Sequence, residues 1–138
     1  MADARDIWVV AEVDGERLKE VTTEALCDAR EQADRLGALV TVLVFGPAAE
    51  PMVSHLGNYG ADRLLVAPGS AEQARSAERC AAVLGRALER ETPRLVLFGA
   101  TVLGRDIACR VAAVRNLAVA NDCNWVRLSP DGAVEAAR

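Results

Sequence analysis

Four apolar runs of strand length, each closed by glycine or proline and each followed by a helical pattern, constrain what this chain can fold into. They are residues 7–13 before Asp14-Gly15, 39–45 before Gly46-Pro47, Arg63–Ala67 before Pro68-Gly69, and 94–98 before Gly99. The first, Ile-Trp-Val-Val-Ala-Glu-Val, and the second, Leu-Val-Thr-Val-Leu-Val-Phe, are almost continuously apolar and rich in β-branched residues. Such runs suit strands covered by helices on both faces, as in a parallel sheet.

The intervening segments read as helices. Thr22 is a good N-cap, with Glu24 in the first turn and Val21 and Leu26 placed as a hydrophobic staple. Val21, Ala25, Leu26, Ala29, Ala33 and Leu36 form one apolar stripe, and Gly37 ends it as a C′ glycine does. A short helix is expected from about Pro51 to the region of Gly57 and Gly60. Ser70 and Gln73 form a capping box ahead of Ala74, Ala77, Ala81, Leu84 and Leu88, and Pro93 stops that helix. Thr101 can cap a fourth helix over 102–114 that buries Ile107, Ala108, Val111 and Val114. Residues 117–128 predict a fifth strand, Pro130-Asp131-Gly132 a turn, and 133–137 a short antiparallel return. Strands alternating with helices at this interval mean βαβ units with right-handed crossovers. The fold class is therefore α/β: one three-layer α/β/α sandwich over 1–138, Rossmann-like, with a mostly parallel sheet and a C-terminal antiparallel edge.

Several function classes are disfavoured. A net charge of -4 over 138 residues, with Lys19 the only lysine, gives no basic stripe for nucleic acid. No apolar run approaches the roughly 18 residues a membrane span needs, and no secretory pattern is visible, so a soluble cytoplasmic protein is expected. Cys27, Cys80, Cys109 and Cys123 are widely spaced and His55 is the only histidine, so no metal site is predicted. Cys27, Cys80 and Cys109 read as small apolar residues on alanine-rich helices. Neither a G-x-G-x-x-G nor a P-loop nor a G-x-S-x-G elbow is present; Glu12-Val13-Asp14-Gly15 stands where a dinucleotide fingerprint would lie. No catalytic constellation is predicted, and a non-enzyme is expected.

The remaining candidate is the turn from Gly99 to Asp106. Gly99 and Gly104 allow close backbone approach, and the free amides of a helix start behind Thr101 attract anions, with Arg105 beside them. Against a ligand, Thr101 can serve only as the cap, Arg105 and Asp106 can pair with neighbours, and a nearby acid disfavours phosphate. Trp125 either covers the core or marks a contact surface.

Several segments together resemble the N-terminal domain of the electron transfer flavoprotein alpha subunit. These are Ile7-Trp8-Val9-Val10-Ala11-Glu12, Thr23-Glu24-Ala25-Leu26, Ala33-Asp34-Arg35-Leu36-Gly37 and Tyr59-Gly60-Ala61-Asp62-Arg63-Leu64-Leu65-Val66-Ala67. The most specific piece is Gly99-Ala100-Thr101-Val102-Leu103-Gly104-Arg105-Asp106, close to the family's G-A-T-x-x-G-R-D signature. The resemblance implies an adenine nucleotide alpha hydrolase-like fold. It also implies a role as scaffold and interface for a beta subunit and a FAD domain, in electron transfer from acyl-CoA-type dehydrogenases, with a possible AMP in the partner subunit. The family continues into its FAD-binding domain near where Arg138 stands, so FAD is not expected on this chain alone. The candidate cofactor residues Gly99, Thr101, Gly104 and Arg105 are then structural, near a subunit or domain interface. Two alternatives are a stand-alone adenine-nucleotide-binding protein of universal-stress-like fold and a self-associating scaffold that forms a homodimer when isolated.

Overall fold

The structure is a computed structural model that describes residues 6–47 and 49–138, without the side chains of residues 49 and 50. Its elements are β1 (Ile7–Val10), β2 (Val13–Asp14), β3 (Arg17–Leu18), α1 (Glu20–Leu36), β4 (Val40–Phe45), α2 (Ala49–Asn58), β5 (Arg63–Ala67), α3 (Ala77–Arg90), β6 (Leu95–Phe98), α4 (Val102–Arg115), β7 (Trp125–Leu128) and β8 (Val134–Ala137).

The four long apolar runs become one parallel sheet in the order β5-β4-β1-β6. Ile7 lies between Val40 and Leu95, and Val10 between Leu43 and Phe98. Every side chain of β1 and β4 is buried, which is why these two runs carry almost no polar residue. Their alternate residues supply two cores. Ile7, Val9, Val40, Val42 and Val44 pack against Leu26, Ala29, Ala33 and Leu36 of α1 and Met52 and Leu56 of α2. Trp8, Val10, Leu43 and Phe45 pack against Cys80, Leu84 and Leu88 of α3 and Ile107 and Val111 of α4. Two helices on each face of a parallel sheet give the α/β/α architecture, and each large side chain so removed from water contributes about 1.5–3 kcal/mol.

The local readings fare unevenly. Gly37 ends α1 in the left-handed region at φ 64°. Thr101 caps α4, its hydroxyl accepting from the Gly104 amide at 2.9 Å. The first run, however, leaves the sheet after Val10, and β2 and β3 make a tight hairpin turned at Gly15, φ 61°. Helix α1 starts at Glu20, so Thr22 lies inside its first turn and is not the N-cap. The Thr22 hydroxyl is spent on Glu12, whose amide donates to it at 2.8 Å after β1 has stopped pairing. The Ser70–Gln73 box forms reciprocally at 2.9 and 3.1 Å, but it closes a 3₁₀ turn over Gln73–Arg75; Ser76 caps α3. Val114 is 85% exposed, lying off the buried stripe of α4 that runs through Gly104, Ile107, Ala108, Val111 and Ala112.

The C-terminal region departs most. Of residues 117–128 only Trp125–Leu128 is strand, and it pairs antiparallel with β8 in a separate two-stranded sheet. This hairpin docks on α1. The buried side-chain amide of Gln32 donates to the Val126 carbonyl at 2.9 Å and accepts from the Leu128 amide at 2.6 Å. Leu128, 0% exposed, enters the core beneath α1. Arg94 adds a hydrogen bond to the carbonyl of Gly132 in the hairpin turn. Trp125 is half exposed, with the Arg127 guanidinium 6.0 Å from its ring centre, and so belongs to the surface.

Candidate functional site

The strand order locates the place to look. From β1 the chain builds outward through β4 and β5, then returns to lay β6 on the other side of β1. Helices leaving β1 and β6 therefore pass to opposite faces, and ligands of open α/β sheets enter the crevice this opens beyond the strands' carboxyl ends. Glu12, just past β1, and the Gly99–Gly104 turn, just past β6, line that crevice.

Glu12 fills it. The residue is only 5% exposed, and its carboxylate sits against the start of α4. The Thr101 hydroxyl donates to Oε1, while the Lys19 ammonium lies 3.4 Å from Oε2. Its backbone is held as firmly: the carbonyl accepts from the Lys19 amide at 2.9 Å and from the Thr22 hydroxyl at 3.3 Å. A helix start attracts negative charge through its free amides and its dipole. Here the chain supplies that charge itself.

The two glycines of the turn follow from the same closeness. A Cβ at Gly99 would stand 2.8 Å from the methyls of Val21 in α1. One at Gly104 would stand 2.3 Å from the Gly99 carbonyl oxygen and 3.0 Å from Glu12 Oε1. Arg105 points the other way and pairs with Asp122 at 3.4 Å, and Asp106 pairs with Arg110 one turn on at 2.7 Å. Of the four sequence candidates, Thr101 and Gly104 thus meet at Glu12 and Gly99 packs against Val21 beside them, whereas Arg105 sits on the outer face of α4.

Glu12 and Lys19 were not singled out as site residues by sequence, and Thr22 was read only as a helix cap. The one available signal was an acid at the first strand-to-helix turn, in place of the glycines that a phosphate requires. Among the described residues no group of three or more His, Cys, Asp or Glu could hold a metal ion. Burial pushes the Cys80 thiol up to about 11, which keeps it protonated and inert. No helix among the described residues is long and apolar enough to cross a membrane.

Comparison with known proteins gives a consistent result. Residues 7–138 match the family described as "Electron transfer flavoprotein domain". A "Protein FixB" from Clostridium saccharobutylicum is 34% identical over 126 residues, covering 91% of this chain and 37% of that protein. An "Electron transfer flavoprotein subunit alpha" from Thermoanaerobacterium thermosaccharolyticum is 30% identical over 132 residues, 96% of this chain and 40% of that protein. An "Acryloyl-CoA reductase electron transfer subunit beta" from Anaerotignum propionicum is 32% identical over 119 residues, 86% of this chain and 32% of that protein. The chain spans well under half the length of these relatives.

Proposed function

The chain belongs to the electron transfer flavoprotein family, and on that premise we propose that it is a single alpha-type N-terminal domain with a scaffolding and interface role. It works without catalysing a reaction, in the cytoplasm, by holding a beta-type subunit and a flavin-bearing domain in register. The electrons it serves come from acyl-CoA-type dehydrogenases. The name of the Anaerotignum relative, which ties that protein to acryloyl-CoA reductase, supports this choice of donor.

The observation that carries the reading is Glu12 in the switch-point crevice. A flavin dinucleotide or AMP would bring phosphate to the amides at the start of α4, and a buried carboxylate already faces them. The residues present do not suit that group, and we assign FAD to a part of the assembly outside this domain. The exposed apolar side chains Val102, Leu117, Val119 and Trp125 supply contact area for association.

The test is to purify the chain, record its absorbance with and without added FAD, and identify by mass anything released on denaturation. A colourless protein that gains no flavin bands, and that co-elutes with a beta-type subunit, supports the reading. Bound flavin overturns the assignment of FAD elsewhere. A released adenine nucleotide favours a stand-alone nucleotide binder, and a stable homodimer that ignores the beta-type subunit favours self-association.

A further inference from the structure

We propose that Cys109 and Cys123 are a redox-modifiable pair, and that oxidation joins them in a disulfide that fastens the loop after α4 back onto that helix. The geometry centres on Asn121. Its side-chain amide lies 3.9 Å from Cys109 Sγ, and Cys123 Sγ lies 3.8 Å from its backbone carbonyl oxygen. The two sulfurs therefore bracket one residue. Asp122, at φ 54°, reverses the chain between Asn121 and Cys123. Its carboxylate meets Arg105, one turn before Cys109 on the same helix. Loop and helix are in register at two successive points, 105 with 122 and 109 with 121.

The loop is held there weakly. The Arg105–Asp122 pair is about half exposed on both sides, and such surface pairs restrain little. A disulfide needs Cα atoms about 4.4–6.8 Å apart, and the loop is the side that would make the approach to α4. The other thiols do not compete: Cys80 is buried with its proton held, and Cys27 faces solvent from α1 among Arg30, Glu31 and Tyr59.

A low-molecular-weight disulfide of the glutathione type is a sufficient oxidant. The exposed Cys109 loses its proton and attacks one sulfur of the reagent, releasing one thiolate and leaving a mixed disulfide. Cys123, deprotonated in turn, attacks Cys109 Sγ and displaces the second thiolate. Two protein S–H bonds and the reagent's S–S bond are lost; one protein S–S bond and two reagent thiols are formed. The two electrons pass to the reagent. The bond would close residues 109–123 into a ring that contains the exposed Leu117 and Val119.

The experiment treats the native chain with oxidised glutathione and reads intact mass and tryptic peptides without reduction. The expected product is lighter by about 2 Da, the mass of two hydrogens lost in forming one disulfide, with peptides 106–110 and 116–127 linked and released by a reductant. Cys109→Ser and Cys123→Ser should each abolish that link, Cys27→Ser should leave it intact, and Tm of the oxidised form should rise by several degrees. Stable glutathione adducts on Cys109 and Cys123 without the linked peptides, or linkage only after denaturation, would overturn the proposal.

Discussion

Thr101 donates its hydroxyl to the carboxylate of Glu12, from 89 residues away in the sequence, and so closes the crevice between the ends of β1 and β6. The same hydroxyl accepts from the Gly104 amide. One side chain thereby caps a helix and anchors the acid that faces that helix.

Replacing Glu12 should therefore expose an anion site. Glu12→Ala removes the carboxylate and leaves the α4 amides facing open space. Millimolar phosphate should raise Tm of this variant and leave the unsubstituted chain unmoved. Without phosphate the variant should be less stable by about 1 kcal/mol, since the half-buried Thr101 hydroxyl loses its acceptor. Differential scanning fluorimetry reads both effects, and a variant indifferent to phosphate would show that charge at Glu12 is not what fills the crevice.

Gly104→Ala should destabilise, against the usual sign for a helix. An alanine ordinarily gains up to about 1 kcal/mol over glycine within a helix. Here its Cβ would lie 2.3 Å from the Gly99 carbonyl oxygen, a backbone atom that cannot turn aside. A net loss of about 1–3 kcal/mol in urea unfolding is expected, the range for overpacking.

Gln32→Ala should loosen the C-terminal hairpin while sparing the parallel sheet. Both contacts of the Gln32 amide to the β7 backbone would go, leaving the Val126 carbonyl and Leu128 amide unpaired. The cost is about 1–3 kcal/mol per buried group left unsatisfied. Hydrogen exchange at Leu128 should accelerate at least tenfold more than at Val42.

The pair between Arg63 and Glu91 gives an acid dependence. Two hydrogen bonds of 2.8 Å from the Arg63 guanidinium hold the Glu91 carboxyl below its ordinary value, despite some burial that works the other way. A carboxyl whose folded value is depressed stabilises fully above its unfolded value and loses that contribution as pH falls through the folded one. The unsubstituted chain should thus exceed Glu91→Gln by about 1 kcal/mol at neutral pH. The gap should shrink as pH drops below about 4.5, the ordinary value, and vanish under strong acid. Paired urea titrations across this range measure it.

What could be read from the sequence was the part that rests on period and punctuation. The apolar runs 39–45 and Arg63–Ala67 became strands β4 and β5 almost as read: burial on both faces leaves β4 a continuous pattern, and the edge strand β5, only partly covered, is still marked off by Pro68-Gly69. Thr101 and Gly104 were recognisable because capping and close approach are local. Thr22 misled, since its hydroxyl serves a backbone ten positions back and not the helix start. Glu12 and Gln32 were illegible for a similar reason. Each is a buried polar side chain whose partner, Thr101 or Leu128, lies 89 or 96 residues on, and no local pattern carries such a pairing. The strand expected over 117–128 shortened because 117–124 meets no sheet edge to pair with.

The anchoring of Leu128 beneath α1 also orders events during synthesis. Strands β1 and β4 and helix α1 emerge early, yet the core they form lacks a side chain that lies 96 positions beyond Gln32. Until that residue leaves the ribosome the early half of the molecule keeps an open apolar seam, the kind of surface to which chaperones and aggregation respond. The closure is thus long-range, and the β7–β8 hairpin acts as the latch for the elements made before it.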